Sequence, residues 1–491
     1  MSFGPPPSPY TQSALEGDRR RRRGRHLVMG VTAAVVAAAC LAVWGLAEAG
    51  GGTSAGERRA AARQDPDDIR ETVETPPKSV EGKAAFEYTE QIKEVGKKVG
   101  APGTWATDKT FAKGFGNHIQ GVAMDVPEEK KKDAKARTWK LTFPGPLCAT
   151  TRHVSVAGWT AVAFSTEAAE PAAAPEVTMT RLCDGLALVD LDKGRKLWQA
   201  KLPGENPPTG VTVTMTDGAV ALAWSQGSAA YDMTSGRRLW ADTTPSACAD
   251  EGFAGGRHLL ALLNCGDSAA PTYQVQRIDP RSGRTKWTYR VARGVKDVYL
   301  VSSSPAVIAV AAGDDLVTDL ISLDDGGRAR ARIPLIRQHQ TVDCYKTFSP
   351  EVDSCHAIVV GERQVYIATD EDIVAFDLAT GKSELKFDSP SGGQMYPIRM
   401  SGGKLIAYRE SGGYSPSVFV AIDPATGREK LLLLFAESPD VDMQPLRDPT
   451  TGDVLYEHGR AYFAETSVDG PENKGQVGEI ATVAVGIESV R

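Results

Sequence analysis

Ile373-Val-Ala-Phe-Asp-Leu-Ala-Thr-Gly-Lys382 and Phe419-Val-Ala-Ile-Asp-Pro-Ala-Thr-Gly-Arg428 are two copies of one pattern. An apolar run leads into an Asp, and a Gly follows that Asp by four. Five copies stand in the same frame: Asp190 with Gly194, Asp232 with Gly236, Asp279 with Gly283, Asp377 with Gly381, and Asp423 with Gly427. A large apolar residue follows each Asp by eight: Trp198, Trp240, Trp287, Leu385 and Leu431. An Asp carboxylate can hydrogen-bond the backbone a few residues on, and Gly supplies the positive φ that closes a turn, so each copy predicts strand, tight turn, strand. Successive Asp residues lie 42, 47, 98 and 46 positions apart, and a degenerate copy, Leu323-Asp-Asp-Gly-Gly327, divides the long step. Self-similarity at this interval is the signature of a four-stranded propeller blade.

Ala230-Tyr-Asp-Met-Thr-Ser-Gly-Arg-Arg-Leu-Trp240 completes the form apolar-x-Ala-apolar-Asp-x-x-Thr-Gly-x-x-x-Trp, and in this the chain resembles the pyrroloquinoline-quinone-like β-propeller repeat family. The resemblance covers residues 118–491 and implies an all-β propeller over that range. Inner strand pairs can be placed near residues 148, 210, 248, 296, 350, 394 and 454, which gives seven blades and leaves eight open. The C-terminal run Ile480-Ala-Thr-Val-Ala-Val-Gly486 needs a partner, and Thr138-Trp-Lys-Leu-Thr-Phe143 offers one, so the first and last pieces would close one blade together. A ring of blades leaves only short, protected sheet edges.

The front of the chain reads differently. Residues 1–26 form a basic tail, rich in Pro and Ser and then in Arg, expected to be disordered and cytoplasmic. Residues 27–47 hold no charged side chain, long enough at about 1.5 Å per residue to span a bilayer core as a helix. The Arg cluster before it sets the N-terminus inside and the rest outside, as a single-pass cell-membrane protein. Ala47-Glu-Ala49 keeps a cleaved signal peptide open as an alternative, and Cys40 a lipid anchor. Residues 48–117 read as an extracellular tether, with residues 79–99 as a short amphipathic helix carrying Phe86, Ile92 and Val95 on its apolar face. The Ala-, Gly- and Arg-rich composition suggests a high-GC bacterium such as an actinomycete.

The formal net charge is −6, and residues 1–47 contribute +4 of it, leaving −10 for the exported part. An acidic ectodomain argues against a nucleic-acid partner. Apart from Cys40, the six cysteines Cys148, Cys183, Cys248, Cys265, Cys344 and Cys355 are all in the exported region, where an even set suggests disulfides. Neighbours in sequence fall within or beside one blade, so the expected pairs are Cys148–Cys183, Cys248–Cys265 and Cys344–Cys355, with free thiols as the alternative.

No catalytic constellation is found. None of the seven His forms a recognised metal spacing, no Gly-x-Ser-x-Gly elbow is present, and the Asp370-Glu-Asp372 and Asp314-Asp315 clusters lack the ordered spacing of a Ca²⁺ loop. The quinone-using enzymes of the resembled family hold their cofactor between a Trp and a disulfide of adjacent cysteines; this chain has no Cys-Cys pair. No cofactor and no metal are therefore expected. The expectation is a non-catalytic, membrane-anchored, monomeric ectodomain that binds a protein, peptide or glycan through loops at one propeller face. A quinone- or metal-dependent oxidoreductase in the funnel is the alternative. Two insertions are candidate contacts: residues 167–178, which also read as a disordered tip, and residues 336–354, with His339, Tyr345 and Phe348 pinned by the expected Cys344–Cys355 bond. A long loop folded onto its own blade is the competing reading of the second.

Overall fold

The structure, a computed structural model, describes residues 65–490 except 93–94, 127–136, 168–182, 205–208, 244–246, 267–269, 314–315, 336–343, 345–351, 354, 371, 390–392, 411–415, 436–445, 447 and 472–479. The chain divides into two units, 1–65 and 66–491; of the first only Asp65 is described. The expected span at 27–47 lies outside the described residues, and among those described no helix is long and apolar enough to cross a membrane.

The second unit is all β. After β1 (Gly82–Gln91) and β2 (Lys98–Gly100), blade 1 is β3 (Thr104–Ala106), β4 (Thr110–Phe115), β5 (His118–Ala123) and β6 (Thr138–Thr142). Blade 2 is β7 (Leu147–Thr150), β8 (Trp159–Phe164), β9 (Gly185–Asp190) and β10 (Arg195–Lys201). Blade 3 is β11 (Thr212–Thr216), β12 (Ala219–Trp224), β13 (Gly227–Asp232) and β14 (Arg238–Asp242). Blade 4 is β15 (Ala249–Ala254), β16 (Leu259–Asn264), β17 (Tyr273–Ile278) and β18 (Thr285–Arg290). Blade 5 is β19 (Val295–Ser303), β20 (Ala306–Ala312), β21 (Asp319–Leu323) and β22 (Ala329–Pro334). Blade 6 is β23 (Ile358–Val360), β24 (Gln364–Ala368), β25 (Ile373–Asp377) and β26 (Ser383–Phe387). Blade 7 is β27 (Met395–Ser401), β28 (Lys404–Arg409), β29 (Ser417–Ile422) and β30 (Glu429–Phe435). Blade 8 takes β31 (Asp453–Glu457), β32 (Arg460–Ala464) and β34 (Ile480–Ser489) from the C-terminus and β1 from the N-terminal side; β33 (Ser467–Asp469) pairs with β2 as a separate ribbon.

The propeller therefore has eight blades, not seven. The missed one is blade 1, whose inner strand is only Thr104-Trp-Ala106. The ring closes through the two ends as expected, but the partner of the C-terminal strand is β1, from Gly82 opposite Ser489 to Gln91 opposite Ile480, while Thr138–Thr142 stays inside blade 1. The helix expected over 79–99 is instead this closing strand, and the propeller begins well before residue 118.

Blade 3 shows why these residues stack. Side chains alternate across a strand. On β12, Val220, Leu222 and Trp224 face a cluster with Ala161, Ala163, Leu186 and Leu188 of blade 2, whereas Ala221 and Ala223 face Phe253, Leu259 and Ala261 of blade 4. All six residues of β12 are buried, because both faces of the sheet are covered. Each fully buried Val or Leu contributes roughly 1.5–3 kcal/mol.

The Asp-Gly turns carry a second contact. Asp232 Oδ1 accepts the Ser235 N–H at 2.9 Å, and the Gly236 N–H reaches the Asp232 carbonyl at 2.8 Å with φ at 68°. The Trp198 ring of the preceding blade lies over this Gly, where an added Cβ would sit 2.7 Å from it, and its Nε1 donates to the Met233 carbonyl at 2.7 Å. The ring of Trp139 covers Gly194, that of Trp240 covers Gly283 and that of Trp287 covers Gly327, and of these three Trp240 repeats the Nε1 bond, to the Pro280 carbonyl at 2.9 Å. Gly236→Ala is expected to cost roughly 2–4 kcal/mol, combining positive-φ strain with overpacking. Gly403→Ala, at φ 76° with nothing within 4 Å, should cost only the strain, about 1–2 kcal/mol. Urea unfolding of both variants checks this; equal losses would show that the Trp contact adds nothing.

Candidate functional site

Antiparallel strand order divides the propeller into two faces. Turns from the first to the second strand of a blade, and from the third to the fourth, emerge on one face, called here the turn face. Connections from second to third strand, and from each fourth strand to the next blade, emerge on the other, the loop face. First-to-second turns are short in most blades, such as 217–218, 304–305, 402–403 and 458–459. The long connections 165–184, 335–357, 436–452 and 465–479 all belong to the loop face. The turn face has one long segment, 124–137.

All three disulfides are on the loop face. Cys148 at the start of β7 joins Cys183 just before β9, Cys248 before β15 joins Cys265 after β16, and Cys344 joins Cys355 within the connection between blades 5 and 6. The first two tie the start of a blade's inner strand to the loop that leads into its third strand.

Of the residues expected in the partner loop, His339, Tyr345 and Phe348 lie outside the described residues. The described end of this loop turns inward. The Val352 carbonyl accepts the Leu300 N–H at 2.7 Å, and Val352 packs with Leu300 and Ala254 on the inner strands of blades 5 and 4. Asp353, next to it, is buried; burial pushes its carboxyl above the ordinary Asp range, and the Arg152 charge pulls the other way. The loop is therefore part of the inner wall at this end. The Thr212 and Thr214 hydroxyls on the inner strand of blade 3, and the enclosed His153 Nε2 in the turn after the inner strand of blade 2, are without a protein partner. Burial, helped by Arg152, lowers the His153 pKa to about 3.

A strap closes over the turn face, and nothing in the sequence reading anticipated it. Ile69 bridges antiparallel to Ser155, Arg70 N donates to the Val154 carbonyl at 2.9 Å, and Gly218 N donates to the Asp67 carbonyl at 3.1 Å. These contacts hold the strap on blades 2 and 3. Glu71 takes a bidentate pair from Arg257 of blade 4 at 2.5 and 2.6 Å. The Thr72 carbonyl then accepts from Arg399 of blade 7 at 2.9 Å. Glu74 pairs with Arg399 and accepts the N–H groups of His458 and Gly459, of blade 8, at 2.8 and 2.9 Å, while its own N–H donates to Ser401 Oγ at 2.7 Å. Burial still raises the Glu74 carboxyl above its usual range. The strap thus crosses from one side of the ring to the other. A sequence signal exists, Glu71 and Glu74 in an otherwise Pro- and Asp-flanked segment, but its partners are more than 180 residues away.

The residues present do not fit a quinone. Trp198, Trp240 and Trp287 are engaged on outer strands over turn glycines rather than facing the axis. Among the described residues no three His, Cys, Asp or Glu side chains converge on a metal position.

Replacing Cys148 and Cys183 together by Ser is expected to lower stability by about 4 kcal/mol, and Cys344 with Cys355 by about 3 kcal/mol, following the loops of 35 and 11 residues they close. Thermal melting of both double variants checks the order. His153 generates a pH dependence. Between about pH 6.5 and about pH 3 the unfolded chain takes up a proton that the folded ring refuses, so this contribution is complete above that window and is lost as pH falls through it. Asp353 acts in the opposite sense, so the comparison is with a variant: His153→Gln should lose less stability than the wild type between pH 7 and pH 5 in urea titrations.

The family model described as outer membrane protein assembly factor BamB matches residues 184–430, half of the chain. No curated protein matches the sequence. Among solved structures, BamB from Moraxella catarrhalis is 11% identical with a TM-score of 0.41, over 84% of this chain and 98% of that one. The β-propeller domain of Myceliophteria thermophila Cps50 (Swd1) is 12% identical with a TM-score of 0.36, over 70% and 99%. Kuenenia stuttgartiensis hydrazine synthase is 13% identical with a TM-score of 0.37, over 70% and 99%. With its repeats matched across half its length, the chain belongs to the family of the outer membrane protein assembly factor BamB.

Proposed function

We propose that this protein is a non-catalytic binding scaffold, anchored in the cell membrane by residues 27–47, which presents its loop face to a protein, peptide or glycan at the cell envelope. The observation that carries the reading is the asymmetry of the two faces. One is closed by a strap. The other collects three disulfides and the longest connections. Loops on a rigid scaffold are where binding concentrates, and cross-linking them beforehand reduces the entropy lost when a partner docks. Membership of a family named for an assembly factor supports a binding role over a reaction.

The anchor follows from the charge-free stretch at 27–47 behind the Arg cluster, and it puts the acidic remainder outside the cell. The chain enters the propeller at the strap, on the turn face, which leaves the loop face for a partner.

Crosslinking in intact cells, followed by identification of the captured molecules, tests the scaffold. A partner is expected with the wild-type chain, and its yield should fall severalfold when residues 345–351, between Cys344 and the inward-packed Val352, are replaced by a short Gly-Ser linker. Full yield would remove this loop from the contact. A C-terminal alkaline phosphatase fusion should be active, and an inactive fusion would reject the orientation. Purified chain incubated with pyrroloquinoline quinone and Ca²⁺ should show neither saturable absorbance nor dye-linked turnover; either would replace the scaffold reading by the oxidoreductase one.

A further inference from the structure

We propose that the turn face is a recognition groove for an extended peptide carrying two carboxylates three residues apart, that residues 66–74 are its resident intramolecular ligand, and that a partner protein's acidic segment of the same pattern takes their place. The strap is held as propellers and sheets hold peptides in general, by its main chain. Backbone bonds tie Pro66, Asp67, Asp68 and Arg70 to residues 154–157 and 218, and Ile69 N reaches Asp217. Such bonds read shape and extension rather than sequence.

Sequence preference comes from two cationic points that belong to the propeller. Arg257 meets Glu71 in a planar two-bond fork, the geometry that distinguishes Arg from Lys at carboxylates. Arg399, with the N–H groups of His458 and Gly459, encloses Glu74. The spacing of the two sites matches Glu-x-x-Glu in an extended chain. An extended segment without these charges would take from Arg399, itself mostly buried, one of its two carboxylate partners and leave only Glu457 at 3.3 Å.

The contacts are also of an exchangeable kind. Apart from Ile69, which packs against the core of blades 2 and 3, and the buried Glu74 side chain, the strap is open: Val73 is 66% exposed, and the Arg257–Glu71 pair is open to solvent on both sides. Segments with few buried apolar contacts open at low free energy. Pro76 and Pro77 separate residues 66–74 from the closing strand β1, so the strap can leave the groove without unpairing the ring. Attached in cis, the strap acts at an effective concentration in the millimolar range, so a free peptide competes only once the strap is weakened.

The test uses the full chain and a fluorescein-labelled synthetic peptide of residues 65–78, read by anisotropy, with hydrogen exchange over residues 66–74. The wild-type chain is expected to bind the peptide at least tenfold more weakly than the Glu71→Gln/Glu74→Gln variant, whose strap should lose protection. Adding Arg399→Ala to that variant, or placing both Gln changes in the peptide, should abolish binding. A strap that stays protected in the double variant, or one that is released without saturable peptide binding, overturns the proposal. A mixed dimer formed when the wild-type chain is added to the double variant would make the occupant a second copy's strap and overturn the assignment to a partner. Should the double variant fail to fold, Arg257→Ala, at an exposed turn, is expected to speed exchange of the amides at 69–72 about tenfold; unchanged exchange refutes the groove.

Discussion

The pairing of β1 with β34 is the constraint on which the rest depends. Seven blades are each made from consecutive chain, and they could exist as an open stack. The eighth exists only when Gly82–Gln91 lies along Ile480–Ser489. Before that contact, blades 7 and 1 each lack a neighbour, and apolar faces such as that of Phe111, Tyr462 and Val483 are open to water. The contact joins residues about 400 positions apart, which is entropically slow to form but, once formed, leaves no sheet face uncovered. The strap runs directly into this strand, with Leu434 N donating to the Val80 carbonyl at 2.6 Å on the way. One continuous segment, 66–91, therefore closes the ring and covers its turn face.

Between neighbouring blades the interaction changes along the ring. From blade 1 to blade 5 a Trp covers the next turn glycine. Beyond that the equivalent places are taken by Ala331 and Arg332 at Gly381, and by Phe387 near Gly427. The lost contact is offset deeper in the sheets, where Tyr408, Phe419, Phe435, Tyr456 and Phe463 pack ring against ring at centroid distances of 5.0–6.3 Å. Aromatic pairs of this kind contribute about 0.5–1.5 kcal/mol each beyond their burial. The half of the chain whose turns lack the Trp is thus held from within rather than from its outer turns.

This division explains what could be read from the sequence. The Asp-x-x-x-Gly turns were legible because one hydrogen bond and one positive φ need those residue types wherever the turn occurs. Six of the seven inner strands placed in that frame lie within two residues of their expected positions, and the one placed near 350 starts at Ile358. Blade 1 escaped because its inner strand has three residues and its outer turn is replaced by the 124–137 connection. Strand β1 escaped for another reason. Phe86, Tyr88 and Glu90 suggest alternation, but register shifts between Ala84 and Phe86, and between Tyr88 and Thr89, break the period of two that marks a strand. The strap escaped because its one local signal, Glu71 and Glu74, has no meaning without partners such as Ser401 and His458, more than 300 residues away.

The two faces differ because of how a blade is traversed. Wherever the motif recurs, the third-to-fourth-strand turn is fixed in length by Asp and Gly, and the first-to-second turn of most blades is short because the two strands are adjacent near the axis. A face made of short turns is shallow and presents backbone N–H and C=O groups at regular intervals, as Gly218 and Gly459 do to the strap. That surface suits a segment lying across it in extended form. The opposite face receives the connections whose lengths the motif does not constrain, and these vary from 116–117 to 335–357. Long connections cost conformational entropy unless they are fixed, and the disulfides are found on this face. Extended-chain recognition on one side and shaped loops on the other are therefore both consequences of a single repeat, in which four residues of turn are specified and the rest of each blade is free to vary.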